Sequence, residues 1–440
     1  MYSRQKKKAN VAFVGHLNSG KSTLLGHFIY KLGGIDMRSL QKFEQESEKI
    51  GKGSYKYAWI LDKTKEERER GLTIKPSNWM VHTSNYVLNM INLPGHCDLV
   101  KNFLWGAFEA DVAILVISAI KSEFEEGIAS NGQTREHLLM LFALGIKQVI
   151  VVVNKMDDKT VNYSETRFKE IRSELSKLMG VLGFNQNEVP FIPISGWKGE
   201  NFYSAPTTMK WYKGETFLSS LESIQIPQRL TELPLRMPII DVFKISGVGI
   251  VAVGKVESGS LDCTITTKVS HLQKAVKIRS IESFHQSLEK AVSGDYVGIN
   301  VLDVEKNELK RGMVFGALNN DPPCLVSEFT AEVIIVNHPT KIKVGYTPVF
   351  YVHTANCACR LERIIQKCDP KNADESIEKS PLYIENAETA IVVLKPLKPL
   401  CVESFDQNPK LARFIIRDSK ITIGYGIIKS TVKIDLKKKK

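Results

Sequence analysis

The residues best placed to do chemistry lie near the start of the chain. Gly15, Asn18, Ser19, Gly20, Lys21, Ser22 and Thr23 belong to one short run, Gly15-His-Leu-Asn-Ser-Gly-Lys-Ser-Thr, whose first eight residues fit G-x-x-x-x-G-K-[ST]. This run follows an apolar strand-like segment and opens an apolar helical one, Ser22 to Leu32, which is the context the motif needs. Glycines let backbone N–H groups wrap phosphate oxygens, and a helix N-terminus adds partial positive charge. Lys21 then reaches the outer phosphates, and the Ser22 hydroxyl is a Mg²⁺ ligand. The chemistry implied is binding of a nucleoside polyphosphate.

A second run bears on which base is held. Asn154-Lys155-Met156-Asp157 follows the apolar segment Val149 to Val153, so it stands at the carboxyl end of a strand, where α/β folds bind ligands. A carboxylate at Asp157 accepts from both N1–H and the exocyclic amine of guanine. Adenine presents the opposite pattern and leaves that carboxylate unpaired. Alone, such a run is more often an exposed loop. After a phosphate loop, in this order, it points to guanine.

These loops need a sheet to hold them. Asn10 to Gly15, Tyr86 to Ile91, Val112 to Ile117 and Val149 to Val153 are short apolar runs rich in β-branched residues, expected as buried strands. Helical stretches lie between them. The clearest is Ser164 to Leu182, with Phe168, Ile171, Leu175, Leu178 and Leu182 at three- and four-residue steps and Ser164 as N-cap. Strand-helix alternation predicts a mainly parallel sheet covered on both faces. Near Ile224 the pattern changes. Pro227, Pro234 and Pro238 mark a linker, and beyond it come short strand-like runs. These are Ile239 to Ile245, Gly249 to Val256, Tyr296 to Val301, Phe329 to Val336, Thr347 to His353, Thr389 to Leu394, Arg413 to Arg417 and Thr422 to Ile428. Such spacing implies antiparallel sandwiches or barrels, divided at Asp321-Pro322-Pro323.

Composition sets wider bounds. A chain of 440 residues is long for one core and suggests two to three domains. Hydrophobic residues make up 43% and charged residues 25%, ordinary for a soluble globular protein. The net charge of +12 fits a polyanionic partner such as RNA, or simply a solvated basic surface. No apolar run is long enough to predict a membrane span, and the basic stretch Met1 to Asn10 does not read as a secretory signal. Cys357, Cys359 and Cys368 cluster without the spacing of a zinc site, so the seven cysteines read as reduced thiols of a cytoplasmic protein. Trp59, Trp79, Trp105 and Trp211 are expected to pack rather than stack on bases.

Beyond these motifs, the chain resembles the translational GTPase family, in its elongation factor 1-alpha branch. The resemblance runs through Gly33-Gly-Ile-Asp36, Gly51 to Trp59, Glu66 to Ile74 (a switch I segment), Pro94-Gly95-His96 (a switch II segment), Gly132 to His137 and Ser195-Gly196-Trp197. It continues through Gly254 to Gly259, Asn337-His338-Pro339 and Cys401 to Phe405. It implies an α/β P-loop GTPase domain over residues 1–226, two antiparallel β-barrel domains over 227–324 and 325–434, and a basic tail, 435–440. It also implies roles. Gly95 donates its backbone N–H to the γ-phosphate, and Thr73 contacts Mg²⁺ with Ser22. His96 orients the attacking water, and Ser195, Gly196 and Trp197 join Asn154, Lys155 and Asp157 around guanine. The implied cofactors are GTP/GDP and Mg²⁺. The implied partners are aminoacyl-tRNA, the ribosome, a guanine-nucleotide exchange factor and, as the family permits, actin. The protein is expected to be monomeric outside these complexes. Two other readings are a ribosome-rescue or termination GTPase carrying a tRNA-mimicking protein, and a GTP-binding scaffold without hydrolysis.

Four positions depart from the family pattern. Asn18 and Asn92 stand where Asp is usual, Cys97 where Arg is usual, and Lys75 where Asp is usual. Asn92 falls at the Asp that holds Mg²⁺ through a water in the second coordination shell. Both Asn residues remove negative charge near the dication, so the expectation is weaker Mg²⁺ binding and faster nucleotide exchange.

Overall fold

The computed structural model describes residues 6–369 and 372–434; the basic tail at Lys437 to Lys440 lies outside them. The chain divides into two compact units, Met1–Pro227 and Gln228–Lys440.

The first unit is built on a six-stranded sheet. Its strands are β1 (Lys7–Val14), β2 (Ser77–His82), β3 (Tyr86–Asn92), β4 (Val112–Ser118), β5 (Val149–Asn154) and β6 (Phe191–Pro193). Their order is β2-β3-β1-β4-β5-β6, and every neighbouring pair is parallel except β2 with β3. All seven residues of β4 and all six of β5 are buried, as befits central strands covered on both faces. The helices are α1 (Lys21–Lys31), α2 (Met37–Lys49), α3 (Lys65–Arg70), α4 (Val100–Ala107), α5 (Lys121–Ile128), α6 (Gln133–Ala143), α7 (Glu165–Val181) and α8 (Phe217–Glu222). In α7, Phe168, Ile171 and Leu175 are buried, and the Ser164 side chain accepts the Arg167 N–H as an N-cap.

Central β1 hydrogen-bonds β3 on one side and β4 on the other. The chain leaves the carboxyl end of β1 into the phosphate-loop sequence and then into α1. That end is where strand order reverses, the preferred ligand position in open α/β sheets. Helix α1 lies hard against residues 57–60. A Cβ on Gly26 would fall 2.0 Å from the Tyr57 carbonyl oxygen. Alanine is favoured over glycine in a helix by about 1 kcal/mol, yet here the steric cost dominates. Gly26→Ala is expected to destabilise the protein by about 1–3 kcal/mol, read as a lower urea midpoint; an unchanged or raised midpoint would refute the close approach.

The second unit holds two closed antiparallel barrels. The first region carries β7 (Met237–Ile245), β8 (Gly249–Lys255), β9 (Ser260–Asp262), β10 (Thr267–Val269), β11 (Ala275–Ser283), β12 (Gln286–Leu288), β13 (Lys290–Val292), β14 (Tyr296–Leu302) and β15 (Val314–Ala317), with β9 and β13 paired apart as a two-stranded sheet and β12 appended to β11. The order β10-β15-β7-β8-β14-β11 closes through a β10–β11 pairing. The other uses β16 (Val326–Ile335), β17 (Val349–Val352), β18 (Ala355–Asp369), β19 (Asn372–Lys379), β20 (Thr389–Pro396), the short α9 (Pro409–Ala412), β21 (Arg413–Asp418) and β22 (Ile421–Lys433). It closes through β17–β18. Barrels, rather than open sandwiches, leave no unpaired edge. Pro238 falls inside β7 instead of the linker. It occupies the second position, before the β8 ladder begins at Ile239, so its missing N–H costs that ladder nothing.

Between these barrels Arg236 is 1% exposed. Its guanidinium lies 2.7 Å from Asp321 Oδ2 and 2.5 Å from Glu403 Oε1. Two carboxylates satisfy one buried cation and so fix the mutual placement of the segments that carry them. Among the described residues no helix is long and apolar enough to cross a membrane. Cys357, Cys359 and Cys368 are buried free thiols. Trp59 is buried and Trp79 packs on the main core. Trp211 packs beside Phe168 and donates its indole N–H to the Tyr163 carbonyl.

Candidate functional site

The loop after β1 has the backbone that its glycines predict. Gly15 has φ 139° and Gly20 φ 89°, and Asn18 sits at φ 60°, a left-handed conformation Asn tolerates better than most residues. Side chains are excluded too: a Cβ on Gly15 would lie 2.2 Å from the Val116 carbonyl oxygen. Helix α1 starts at Lys21 with no acidic residue in its first turn, so its N-terminus keeps its pull on anions. The Gly15 N–H donates to His137 Nδ1 at 3.1 Å, which ties the loop to α6.

Lys21 is buried, and its ammonium donates to the carbonyls of Gly15 (2.9 Å) and His16 (2.7 Å). Burial draws its pKa down to about 7, partly opposed by the charge of Asp62. An ammonium held out of water in this way gains strongly from an anion. Gly95 faces it closely, since a Cβ there would lie 2.4 Å from Lys21 Nζ.

Beside Lys21 four side chains meet. Ser22 Oγ and Thr73 Oγ1 are 2.9 Å apart. Thr73 Oγ1 donates to Asp62 Oδ1 at 2.9 Å. The Asn92 amide donates to Ser22 Oγ at 3.0 Å and Thr73 Oγ1 at 3.2 Å, while Asn92 Oδ1 is buried without a hydrogen-bond partner among the described residues. Burial lifts the Asp62 carboxyl to about 7, against the pull of the Thr73 hydrogen bond. Two hydroxyls, a buried carboxylate and an orphaned amide oxygen are an oxygen-rich set suited to a hard divalent cation such as Mg²⁺.

Sequence reasoning missed Asp62. The available signal was a single acid closing the apolar run Ala58 to Leu61, all of which is buried. It also missed Glu67, which places Thr73. Thr64 and Glu67 form a capping box at the start of α3, and Glu67 Oε1 also accepts the N–H groups of Ile74 and Lys75. The T-x-x-E spacing was readable as that box.

Asn92 supplies no charge to this cluster, so Asn92→Asp is expected to slow GDP release in saturating Mg²⁺ about tenfold or more, since a full charge near a dication is worth at least ~1.4 kcal/mol. Fluorescent GDP release titrated with Mg²⁺ measures it. The difference should vanish in excess chelator; equal rates in both conditions would refute the role.

At the end of the cleft where the sequence places guanine binding, Asn154 bridges two loops. Its Nδ2 donates to the Ser19 carbonyl at 2.9 Å and its Oδ1 accepts the Gly196 N–H at 2.8 Å. Lys155 has φ 63° and its ammonium pairs with Glu123 at 2.7 Å. Ser195 is buried, with its hydroxyl accepting the Lys198 N–H. A cleft of about 490 Å³ is lined by Asn18, Gly20, Lys21, Ser22, Thr23, Thr73, Gly95, His96, Asn154, Lys155, Asp157 and Trp197, together with Asp62 and Tyr55. Gly15, Ser19, Asn92, Ser195 and Gly196 stand behind this lining.

His96 follows Gly95 and its side chain is 32% exposed. Its Nδ1 accepts the Asp98 N–H at 3.1 Å, so in the neutral ring the proton sits on Nε2. Cys97 Sγ lies 3.8 Å from the same Nδ1. An exposed thiol thus replaces the guanidinium usual there.

Comparison with known proteins agrees along the chain. Residues 6–244 match the elongation factor Tu GTP binding domain, 249–316 match elongation factor Tu domain 2, and 328–429 match the GTP-eEF1A C-terminal domain-like family. Elongation factor 1-alpha of Tetrahymena pyriformis is 46% identical over 98% of this chain and 99% of its own length. That of Entamoeba histolytica is 45% identical over 97% and 96%. The GTP-bound GTPase-like domain of S. cerevisiae Ski7 shares the fold, with a TM-score of 0.81 at 19% identity over 96% of this chain and 97% of that one.

Proposed function

The chain belongs to the translational GTPase family of elongation factor Tu and elongation factor 1-alpha, and from that premise we propose that it delivers aminoacyl-tRNA to the ribosomal A site, hydrolysing GTP to GDP and phosphate on codon recognition. The observation that carries this reading is the meeting in one cleft of Lys21, Ser22, Thr73, His96 and Asp157, from four separate segments, in a chain similar to elongation factors 1-alpha over almost its whole length.

Each side chain has a task. The α1 N-terminus and Lys21 hold the phosphates and offset their charge. Asp157 accepts from the guanine edge, with Asn154 keeping the 195–197 loop against the phosphate loop. Ser22 and Thr73 would hold Mg²⁺, with Asp62 and Asn92 behind them, and a bound ion would supply charge neutralisation at the phosphates. Gly95 presents its N–H to the γ-phosphate. His96 donates from Nε2 to orient the attacking water. Phosphoryl transfer needs positioning and charge neutralisation more than covalent catalysis. Thr73 and Gly95 both face the terminal phosphate, so their segments favour one arrangement with GTP and another with GDP, and tRNA affinity follows that difference.

The test is protection of the aminoacyl ester of tRNA from hydrolysis. Protection with GTP and none with GDP supports the reading; equal decay in both overturns it. One observation favours a second reading, a GTP-binding scaffold without turnover: Asn92 puts an amide donor against the Ser22 and Thr73 hydroxyls. GTP retained unhydrolysed on programmed ribosomes would select it. The exchange factor, actin and a cytoplasmic location belong to the same proposal and rest on family membership alone.

A further inference from the structure

The rim of the cleft carries an aromatic cluster that none of the nucleotide contacts requires. His27 of α1 is buried, and its Nδ1 lies 2.8 Å from the Gly196 carbonyl oxygen. A carbonyl can only accept, so Nδ1 carries the proton, and burial, which draws the ring pKa down to about 4, keeps it neutral. The Tyr57 ring stacks on His27 with centroids 4.0 Å apart and planes 11° from parallel. Trp197 stands edge-on to Tyr57 at 5.5 Å and 73°. Above both rings sits the Lys56 ammonium, 5.4 Å from the Tyr57 centroid and 5.5 Å from that of Trp197. It also pairs with Glu44 of α2 at 2.5 Å.

This set is not simple core packing. Trp197 is 41% exposed and lines the cleft while Tyr57 is buried at the edge of the main core, so a cation shared by the two rings ties an exposed ring to a fixed one. Through it, α2 and residues 56–57 touch the base-side loop. Seventeen residues along the chain from Lys56 is Thr73, held by the α3 capping box.

We infer that His27, Lys56 and Tyr57 form a clasp that couples the segment leading to Thr73 to the guanine-side loop through Trp197, so that displacement of that segment loosens the base loop and speeds nucleotide release. The inference rests on reading the cleft as a guanine-nucleotide site. Lys56 and Tyr57 are positioning residues, since neither lines the cleft and both act through Trp197. The coupling is reciprocal: whatever orders the base loop also favours the seated form of residues 56–73.

A double-mutant cycle on GDP release tests it at Lys56, whose side chain is 18% exposed, with the conservative Lys56→Arg as the control for misfolding. Lys56→Gln is expected to speed release about three- to tenfold, a size set by loss of one shared cation–π contact and an ion pair. Lys56→Arg, which keeps charge and stacking, should restore the wild-type rate to within about twofold. In a Trp197→Ala background, Lys56→Gln should change release less than about twofold, because its partner is gone. Equal effects in both backgrounds, or no effect of Lys56→Gln in the wild type, would overturn the clasp while leaving the nucleotide site intact. A wild-type protein that binds no guanine nucleotide would overturn the site and the clasp together.

Discussion

Lys21→Ala is expected to raise the dissociation constants for GDP and GTP about a hundredfold or more without lowering the stability of the nucleotide-free protein. A hundredfold loss corresponds to about 2.7 kcal/mol, within reach of one or two charge-assisted phosphate hydrogen bonds lost together. The stability half of the expectation follows from the environment. Burial draws the Lys21 pKa down to about 7, so the folded protein holds this ammonium at a cost, and carbonyl contacts at 2.9 and 2.7 Å only partly offset it. Removing the group relieves that cost while removing the anion's partner. Calorimetric titration with Mg·GDP and thermal unfolding of the free protein measure the two halves. Binding within twofold of wild type would mean that Lys21 supports its own loop and not the phosphates.

His96→Ala should act on the other side of the equilibrium. GTP-analogue affinity is expected to stay within about twofold, while ribosome-stimulated turnover falls by roughly 10²- to 10⁴-fold, the range for a positioned proton-handling side chain. His96 lines the cleft, with a third of its side chain open, and only its Nδ1 is engaged by the Asp98 N–H. It has little binding to lose and a free Nε2 to offer. Single-turnover GTP hydrolysis with and without programmed ribosomes measures it. Unchanged turnover would assign the orienting of water to another group. The exposed Cys97 thiol beside the ring, where a guanidinium is usual in the family, adds no cation to this position, so in the proposed mechanism His96 would act without that neighbour.

Much of this site was legible from consecutive residues. The phosphate loop announces itself because its glycines answer to backbone angles, and Gly15 and Gly20 do adopt positive φ. Helix α7 follows from periodicity and an N-cap serine. The long strand β18 was not read. Its alternation breaks at two register shifts, between Leu361 and Arg363 and between Ile364 and Gln366, and an irregular period hides a strand. Asp62 was equally hard to see. An acid after an apolar run looks like the start of a loop until Thr73, eleven residues on, donates a hydrogen bond to it.

By itself the sequence determined the class of ligand, the order of the segments that meet it, and the change from parallel α/β to antiparallel β near residue 227. Those properties depend on neighbours: turn angles, helix caps and strand periods are set within a few residues. Only tertiary structure decided that Asn154 braces Ser19 against Gly196, that Asp62 joins Ser22 and Thr73, and that His27 bonds a carbonyl 169 residues away. These contacts exist because the sheet sets β1 between β3 and β4 with β5 beyond. Strand order brings distant loops to one end of the sheet, and a local pattern of residue types carries no record of it.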